Sequence, residues 1–477
     1  MTPSDRGRNT RGSSRDVTLV VSALVILAAS VALTVVSDEF VYGRAHETRP
    51  IIEVVAILLV AGGAYATAVR CVTKSPSTRL AAFAVGAFGF VLSSVQLMAA
   101  PVQESDYYRY LVDGGVVACG QNPYRLSPAE RLGDARRHEA CLGDDPRWRE
   151  ALERVDYPEL RTIYPPLAEL WLGAVVSVAG PSLTALRVSY LAIFLALLVA
   201  VAGLLCRSGR SPLLIAAVGW APLVFKEAFN SAHYDLLPAL LLAMGGYLLV
   251  TRRPLAAAAF LGLTAATKLF AFAIVPIWLR ATPAGSRIPA AAVFALAAVA
   301  PWLPFAGAGT SLFEGTTAFG THWTANSPLF GPFASLLVAS GASPAVTRAG
   351  LGALLGAAVV GVQLGWRMPE GEAKAVAGLL GARAALAMLL VAGPTSNPWY
   401  FCWLLPLIAL DPGLPWLALV AMLPLYYVQF WLIYQGMAEL AHWVAIVEFA
   451  PFVALVAYQA YRNRSSWAGR MRSDARA

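Results

Sequence analysis

The sequence predicts an all-α polytopic integral membrane protein, and composition, hydropathy and charge distribution all indicate this class. Hydrophobic residues make up 58% of the 477 residues and charged residues only 13%, whereas about a quarter of a soluble protein is charged. Mean hydropathy is +0.62, and apolar runs recur from residue 17 to residue 461. The net charge of +8 is scattered over short loops and two tails, and this scatter argues against nucleic-acid binding.

The charge pattern divides the chain into a membrane domain with two polar tails. Residues 1–16 are predicted to be a disordered cytoplasmic tail, residues 17–461 the polytopic domain and residues 462–477 a basic cytoplasmic tail. Within the domain, residues 101–162 form the one large polar loop. Val17–Val36 is longer than the apolar core of a signal peptide and lacks a small-residue cleavage site after it, so we expect a retained first span.

Roughly 11 to 14 transmembrane helices are expected, because several apolar runs are shorter than the ~20 residues that a crossing requires. The runs predicted to cross are Val17–Val36, Ile51–Val69, Leu80–Ala100, Leu183–Cys206, Pro212–Phe225, Leu236–Val250, Pro254–Leu279, Ile288–Phe305, Ala345–Leu364, Leu386–Gly393, Phe401–Leu410, Pro415–Tyr434 and Val444–Tyr461.

Positively charged residues set the predicted orientation. Arg70, Lys74 and Arg79 lie in one short turn, which we assign to the cytoplasm, so that both termini are cytoplasmic and the loop 101–162 faces outward across the plasma membrane. Tyr164–Gly180 is short and contains two prolines, and we expect it to lie on the outer face as a re-entrant or juxtamembrane helix.

Two acids, Asp106 and Asp113, follow the third span. They are seven residues apart, which in a helix is two turns on one face. A carboxylate at this membrane boundary suits a general base that removes a proton from an attacking hydroxyl. The structural alternatives are a loop acid paired with Arg109 for Asp106 and a helix-terminating Asp-Gly pair for Asp113.

A second polar cluster and an intramembrane lysine complete the set of candidates. Lys268 interrupts the apolar run Pro254–Leu279, which predicts two half-spans, and an ionisable residue at membrane depth is a functional candidate. The cluster between the fifth and sixth spans either contacts substrate or forms a hydrated loop. Its members are Lys226, Glu227, Asn230, His233 and Asp235.

Several short motifs occur together in a fixed order. They are Asp106-Tyr107-Tyr108-Arg109-Tyr110, Gly120-Gln121-Asn122-Pro123-Tyr124, Tyr164-Pro165-Pro166, Lys268 before Pro276, and Pro398-Trp399-Tyr400 with Trp403 and Pro406. This order resembles the polyprenyl-phosphate-mannose-dependent mannosyltransferases of the C-type glycosyltransferase (GT-C) superfamily, similar to glycosyltransferase family 87 and its relatives.

The resemblance implies a GT-C-like fold and the transfer of a sugar, with mannose as the first choice. The donor would be a polyprenyl-phosphate sugar and the acceptor a glycolipid or cell-envelope glycan at the outer face. The transfer would invert the anomeric configuration. Asp106 matches the catalytic base, and Asp113 is the second choice. Lys268 and Arg109 are candidates for the donor phosphate. His233, Asp235 and Lys226 are candidates for donor phosphate or sugar contacts.

Cysteine and histidine usage gives two further expectations. Cys119 and Cys141 both lie in the external loop, where an oxidising exterior favours a disulfide, and two free thiols are the alternative. No zinc-ligand spacing occurs, so no metal site is predicted, although Asp106 and Asp235 could share a divalent cation.

His322-Trp323 is expected to anchor the membrane interface, with sugar stacking as the alternative, and Arg383 is expected to snorkel inward. A secondary transporter or lipid-linked-sugar flippase is the competing class, and an arabinofuranosyltransferase or another sugar transferase is the competing activity within the GT-C class.

Overall fold

The computed structural model describes residues 3–133, 142 and 145–474, and side chains are described between 14 and 462 outside the same gaps. Helices dominate these residues, and the only strand-like pairing described is an isolated bridge between Ala325 and Thr395. The α-helices are α1 (Pro3–Val36), α2 (Ile51–Val72), α3 (Arg79–Val95), α4 (Asp106–Ala118), α5 (Pro128–Leu132), α6 (Pro146–Glu153), α7 (Pro166–Ala179), α8 (Leu183–Arg207), α9 (Ala216–Gly219), α10 (Leu236–Val250), α11 (Pro254–Ala265), α12 (Val275–Ala281), α13 (Arg287–Val299), α14 (Glu314–His322), α15 (Phe330–Ala339), α16 (Pro344–Gly365), α17 (Ala373–Ala392), α18 (Leu405–Leu410), α19 (Leu414–Met422), α20 (Val428–Tyr434) and α21 (Ala441–Asp474).

Tighter and wider helical turns connect these elements. A π-helix spans Val224–Asn230. The 3₁₀ segments are Ser37–Phe40, His46–Thr48, Gln96–Met98, Pro212–Ile215, Leu269–Ile274, Ala284–Ser286, Ala300–Phe313, Pro398–Leu404, Leu423–Tyr427 and Ala438–Leu440.

The predicted all-α polytopic class is confirmed. Nine helices in the described part of the chain are long and apolar enough to cross a membrane, or up to ten when the bent pair around Ala221 is counted as one span. Six shorter apolar helices accompany them. Three of them, Pro166–Ala179, Pro254–Ala265 and Leu269–Ala281, match the segments predicted as a re-entrant helix and two half-spans, whereas Phe330–Ala339 was not predicted.

The first and last helices extend into the two predicted tails. Helix α1 already begins at Pro3, inside the segment 1–16 that was expected to be disordered, and α21 continues to Asp474 through the second tail. Adding residues to a helix that already exists costs far less than starting one, which accounts for polar turns at the ends of apolar helices.

Both segments that the sequence predicted to be irregular within the membrane are irregular in the structure. One is a short helix and the other is an interrupted helix. Helix α7 has 14 residues, which at 1.5 Å per residue is about 21 Å and too short for a ~30 Å hydrocarbon core. Helix α11 ends at Ala265, and Lys268 is extended before the next helical turn begins. The start of α7 contacts the interruption after α11, because the Leu167 backbone N–H donates to the Ala266 carbonyl at 2.9 Å.

Two glycines let α4 and α7 cross closely. A methyl group at Gly114 would lie 2.9 Å from the Leu172 carbonyl oxygen, and one at Gly173 would lie 2.5 Å from a Val117 methyl. The loop after α4 is fastened as well, because Asn122 donates to the Phe305 carbonyl at 2.9 Å and the Tyr124 hydroxyl to the Tyr164 carbonyl at 2.7 Å. The start of α4 therefore has a fixed position beside the breaks in the membrane helices.

Candidate active site

One large cavity, of about 1220 Å³, lies where α4 meets the helix breaks. Asp106 and Lys268 both line it, together with aromatic rings that include Trp399, Tyr157 and Trp323. The volume exceeds the usual range of about 300–1,000 Å³ for a small-molecule site.

Asp106 is the first residue of α4, and its side chain is 34% exposed. A carboxylate in the first turn of a helix is stabilised by the unpaired backbone N–H groups and the helix dipole. Its Oδ2 lies 3.7 Å from His233 Nε2. Asp106 thus combines a carboxyl group at a helix start, access to the cavity and a buried histidine as its neighbour.

Lys268 forms the cationic part of the cavity. Its Nζ lies 3.5 Å from Asp235 Oδ1 and 4.4 Å from the centre of the Tyr234 ring, and its side chain is 12% exposed. The rings of Tyr164, Tyr400 and Trp403 surround the same nitrogen at 5.2–5.8 Å. Aromatic faces attract a cation in a partly desolvated site, so the ammonium is held in place without losing its contact with the cavity.

The predicted cluster at 226–235 is buried, which rules out its alternative interpretation as a hydrated loop. Lys226, Glu227, Asn230, His233 and Asp235 are each at most 2% exposed. The π-helix ends at Asn230, and the next turn places Ala232 at φ +62°, a left-handed conformation that is rare for alanine. This turn places His233 behind Asp106 and Asp235 behind Lys268, so that neither of the two predicted donor contacts lines the cavity itself.

Asp235 is held from two directions, by Lys268 and by the Trp403 indole N–H, which donates to its Oδ1 at 2.7 Å. The other oxygen, Oδ2, is buried and has no hydrogen-bond partner among the described residues. Asp235 is therefore the counter-ion that keeps Lys268 beside the cavity.

Asp113 and Arg109 are paired with each other, which corrects the roles predicted for both residues. Asp113 does not line the cavity, because it is 4% exposed and forms an ion pair with Arg109 Nε at 2.8 Å. Arg109 does reach the cavity wall, but its guanidinium is occupied by Asp113 and by the Leu160 carbonyl at 2.6 Å. The pair stiffens α4 and leaves Asp106 as its cavity acid.

Lys226 also lies behind the cavity wall rather than in it. Its ammonium donates to Ser231 Oγ at 2.6 Å, to the Tyr427 hydroxyl at 2.9 Å and to the Val102 carbonyl at 3.2 Å. Glu227 Oε1 is 3.8 Å away and supplies the counter-charge. Lys226 therefore has a structural role as the counter-ion of Glu227, instead of the substrate contact that the sequence predicted.

Two acids that the sequence analysis did not identify also belong to the site. Glu104 and Asp156 line the cavity beside Asp106, and the Ser105 hydroxyl donates to Asp156 Oδ2. Burial raises the pKa of Glu104 well above its usual value, and the nearby Glu227, Asp106 and Asp156 raise it further, whereas Lys226 lowers it. Burial likewise raises the pKa of Asp156. Only contacts between distant segments could have identified this pair.

The Trp323 ring lines the cavity and packs edge-to-face against Tyr157, with ring centroids 4.6 Å apart. His322 is exposed and does not line the cavity. Arg383 is paired with Asp411 at 3.3 Å and lies over the Trp416 ring, so its guanidinium is bound inside the protein rather than extended to an interface.

Among the described residues, no group of three or more His, Cys, Asp or Glu side chains is arranged to hold a metal ion. Cys71, Cys206 and Cys402 are free, and Cys119 is disulfide-bonded. Cys141 lies outside the described residues, so the Cys119–Cys141 pairing stays a prediction.

A family model described as "Alpha-(1->6)-mannopyranosyltransferase, N-terminal domain" (MptA_B family) matches residues 15–282. This range includes Asp106, His233, Asp235 and Lys268. No match was found among curated proteins or solved structures.

The raised pKa of Glu104 makes a prediction about stability. The folded protein binds this proton more tightly than the unfolded chain, so Glu104 lowers the stability of the fold as pH rises above the carboxyl's ordinary range. Glu104→Gln should therefore raise the unfolding midpoint in detergent by a few degrees at pH 8, with the gain shrinking towards pH 4. Thermal unfolding followed by tryptophan fluorescence measures this.

Glu153→Gln is the matched control, because Glu153 is an exposed acid at the end of α6. It should leave the midpoint unchanged at both pH values. A Glu104→Gln midpoint equal to that of the parent protein at pH 8 would show that Glu104 carries no such penalty.

Proposed function

We propose, since the chain belongs to the alpha-(1->6)-mannopyranosyltransferase family, that it moves mannose from a polyprenyl-phosphate donor to a glycolipid or cell-envelope glycan acceptor, with inversion. The chain is a membrane mannosyltransferase of the GT-C type, a class that the family match favours over a transporter, a flippase or an arabinofuranosyltransferase. The donor, the acceptor, the mechanism and the membrane face are the parts we propose.

One observation carries the proposal: the same cavity contains a half-exposed carboxylate, Asp106, and a caged cation, Lys268. Displacement at an anomeric carbon requires a base for the incoming hydroxyl and positive charge for the departing phosphate. The cavity is large enough to hold the donor sugar and the acceptor sugar together.

In the proposed reaction, Asp106 accepts the proton of the acceptor hydroxyl as that oxygen bonds to the anomeric carbon. The bond between this carbon and the phosphate oxygen breaks, and the electron pair leaves with the polyprenyl phosphate. A single displacement of this kind inverts the anomeric configuration. The charge that develops on the phosphate is stabilised by Lys268, whose cavity-facing nitrogen is already oriented by Asp235 and the tyrosine rings.

The rest of the cavity wall suits a lipid-linked sugar. Trp399 and Tyr400 provide flat aromatic surfaces for sugar rings, while Leu336 and Ala339 of α15 and Ile446 of α21 provide an aliphatic wall. Leu336 is itself 65% exposed on the outer surface of the helices, so the cavity continues into a surface that lipid chains can cover. This continuity supports a donor that stays in the bilayer.

The first prediction concerns Asp106. Asp106→Asn should lower kcat for mannosyl transfer from polyprenyl-phosphate mannose by about 100-fold or more, because the amide cannot accept the hydroxyl proton. Donor affinity should change little, since the base acts in the transition state. The assay uses purified protein in detergent with labelled donor and membrane glycolipid, without an ion gradient.

Asp38→Asn is the control, because Asp38 is an exposed acid in the first turn of another short helix. Normal turnover by Asp106→Asn would remove Asp106 from the proposed role. Transfer by the parent protein from a nucleotide-linked mannose but not from the lipid-linked donor would overturn the proposed donor.

The second prediction concerns Lys268. Lys268→Gln should lower kcat by about 100-fold, as expected on removing a group that stabilises developing charge, and should raise KM for the donor. Lys268→Arg keeps the positive charge beside Asp235 and should retain more activity than the glutamine variant. Steady-state kinetics with varied donor concentration measures both parameters.

Lys74→Gln is the control for this change, because Lys74 is exposed in the turn between α2 and α3. If kcat and the donor KM of Lys268→Gln both match those of the parent protein, the donor phosphate binds elsewhere.

We also propose that the cavity opens to the outer side of the plasma membrane and that both termini are cytoplasmic. The short turn with Lys74 lies one span before the cavity loop, and Tyr157 in that loop is 54% exposed. Tyr157→Cys should therefore react with a membrane-impermeant maleimide in intact cells, above the level of the parent protein. Lys74→Cys should react only after permeabilisation, and the reverse pattern would invert the topology.

A further inference from the structure

His233 lies directly behind Asp106 and is fully buried. Its ring stacks on Trp399 with centroids 3.9 Å apart and an interplanar angle of 14°, which fixes the plane of the imidazole. The His233 backbone N–H donates to the Glu227 carbonyl at 2.9 Å, so the turn after the π-helix is closed by the same two residues. The ring therefore has one orientation, with one nitrogen towards Glu227 and the other towards Asp106.

The neighbours of the ring determine which nitrogen carries the proton. Nδ1 lies 3.2 Å from the Glu227 carbonyl oxygen and 3.4 Å from Glu227 Oε2, and both of these atoms are acceptors. Nδ1 can therefore donate a hydrogen towards Glu227. Nε2 is buried without a hydrogen-bond partner and faces Asp106 Oδ2, 3.7 Å away.

Glu227 is equipped to remain a carboxylate beside this ring. The Tyr427 hydroxyl donates to it at 2.8 Å, and Lys226 Nζ lies 3.8 Å from Oε1. A buried carboxylate with an O–H donor and a cation beside it is suited to stabilise a positive charge on the imidazole. Glu227, His233 and Asp106 thus form a continuous line from a buried counter-charge to the cavity.

We propose that His233 relays the proton that Asp106 removes from the acceptor, with Glu227 stabilising the resulting imidazolium; the inference rests on the proposed function. The acceptor O–H bond breaks and its proton bonds to Asp106 as the glycosidic bond forms. The proton then passes from Asp106 to His233 Nε2, which restores the carboxylate while the products are still bound. After product release, the proton returns through Asp106 to water in the cavity.

His233 acts through Asp106 and is therefore a positioning residue rather than a group that touches substrate. Other titratable groups around the Asp106–His233 pair also shape its pH response. They are Glu227 and Lys226 of the π-helix, Glu104 before α4, Asp235 before α10, Lys268, Tyr400, Cys402, Tyr426 and Tyr427.

The test is the pH dependence of kcat in His233→Asn, whose amide keeps a donor towards Glu227 but cannot take up a proton. We expect kcat to fall by about 100-fold with KM for donor and acceptor nearly unchanged. The acidic limb of the profile should move to lower pH, because the imidazole no longer binds a proton. His46→Asn, at an exposed histidine that does not line the cavity, should change neither.

Glu227→Gln gives a second test. If the two residues act as a unit, His233→Asn combined with Glu227→Gln should be little slower than either single variant. Added imidazole should also restore part of the turnover of His233→Ala, an effect that loss of fold would not produce.

Wild-type kcat and an unshifted acidic limb in His233→Asn would overturn the relay, and so would independent, multiplicative effects of the two substitutions. Either result leaves the proposed function standing if Asp106→Asn is inactive. Loss of transfer from the lipid-linked donor in the parent protein would instead contradict the proposed function itself.

Discussion

The architecture of the cavity depends on one constraint: an ionisable group among apolar helices needs an oppositely charged partner. Asp235 is fully buried at the start of α10, and Lys268 lies in the break after α11. Either one alone would be an uncompensated charge, which costs several kcal/mol inside a protein. Their contact joins two interruptions that belong to different parts of the chain, and the cavity forms where these interruptions meet.

A second buried ion pair, between Lys226 and Glu227, accounts for the π-helical backbone at Val224–Asn230. Lys226 and Glu227 are consecutive, and the wider π-helical turn lets both find partners without leaving the interior. Single π-type turns are found frequently at functional sites, where the extra residue redirects side chains. The left-handed Ala232 completes the change of direction and separates the Lys226–Glu227 pair from His233 and Asp235.

The sequence predicted the fold class and the main cavity residues because polarity in an apolar context is a local signal. Lys268 interrupts a hydrophobic run, and Asp106 follows a span directly, so neither required knowledge of distant contacts. Asp113 lies on the same helix, but it is buried because it pairs with Arg109 one turn earlier and because α7 crosses close to it. No periodicity within α4 distinguishes an acid that faces a cavity from one that is paired inside.

Other parts of the site depend on segments far apart in the chain. Glu104 and Asp156 lie near opposite ends of the polar loop 101–162, and both line the cavity. The same loop is fastened through Asn122 and Tyr124. The stacking of His233 on Trp399 joins two regions that share no sequence pattern. The Gly-x-Asn-Pro-Tyr motif, which supported the family resemblance, has a structural role here that its sequence alone did not reveal.

Under the proposed function, the environment of Lys268 also bears on how fast a lipid phosphate can leave the cavity. A lysine with no other partner would bind a departing lipid phosphate strongly, and dissociation would then limit turnover. Lys268 already has Asp235 and the Tyr234 ring as partners, so the phosphate competes with contacts that re-form as it leaves. Under the proposed function, the same cage that orients the cation for bond cleavage keeps the spent carrier from remaining in the cavity.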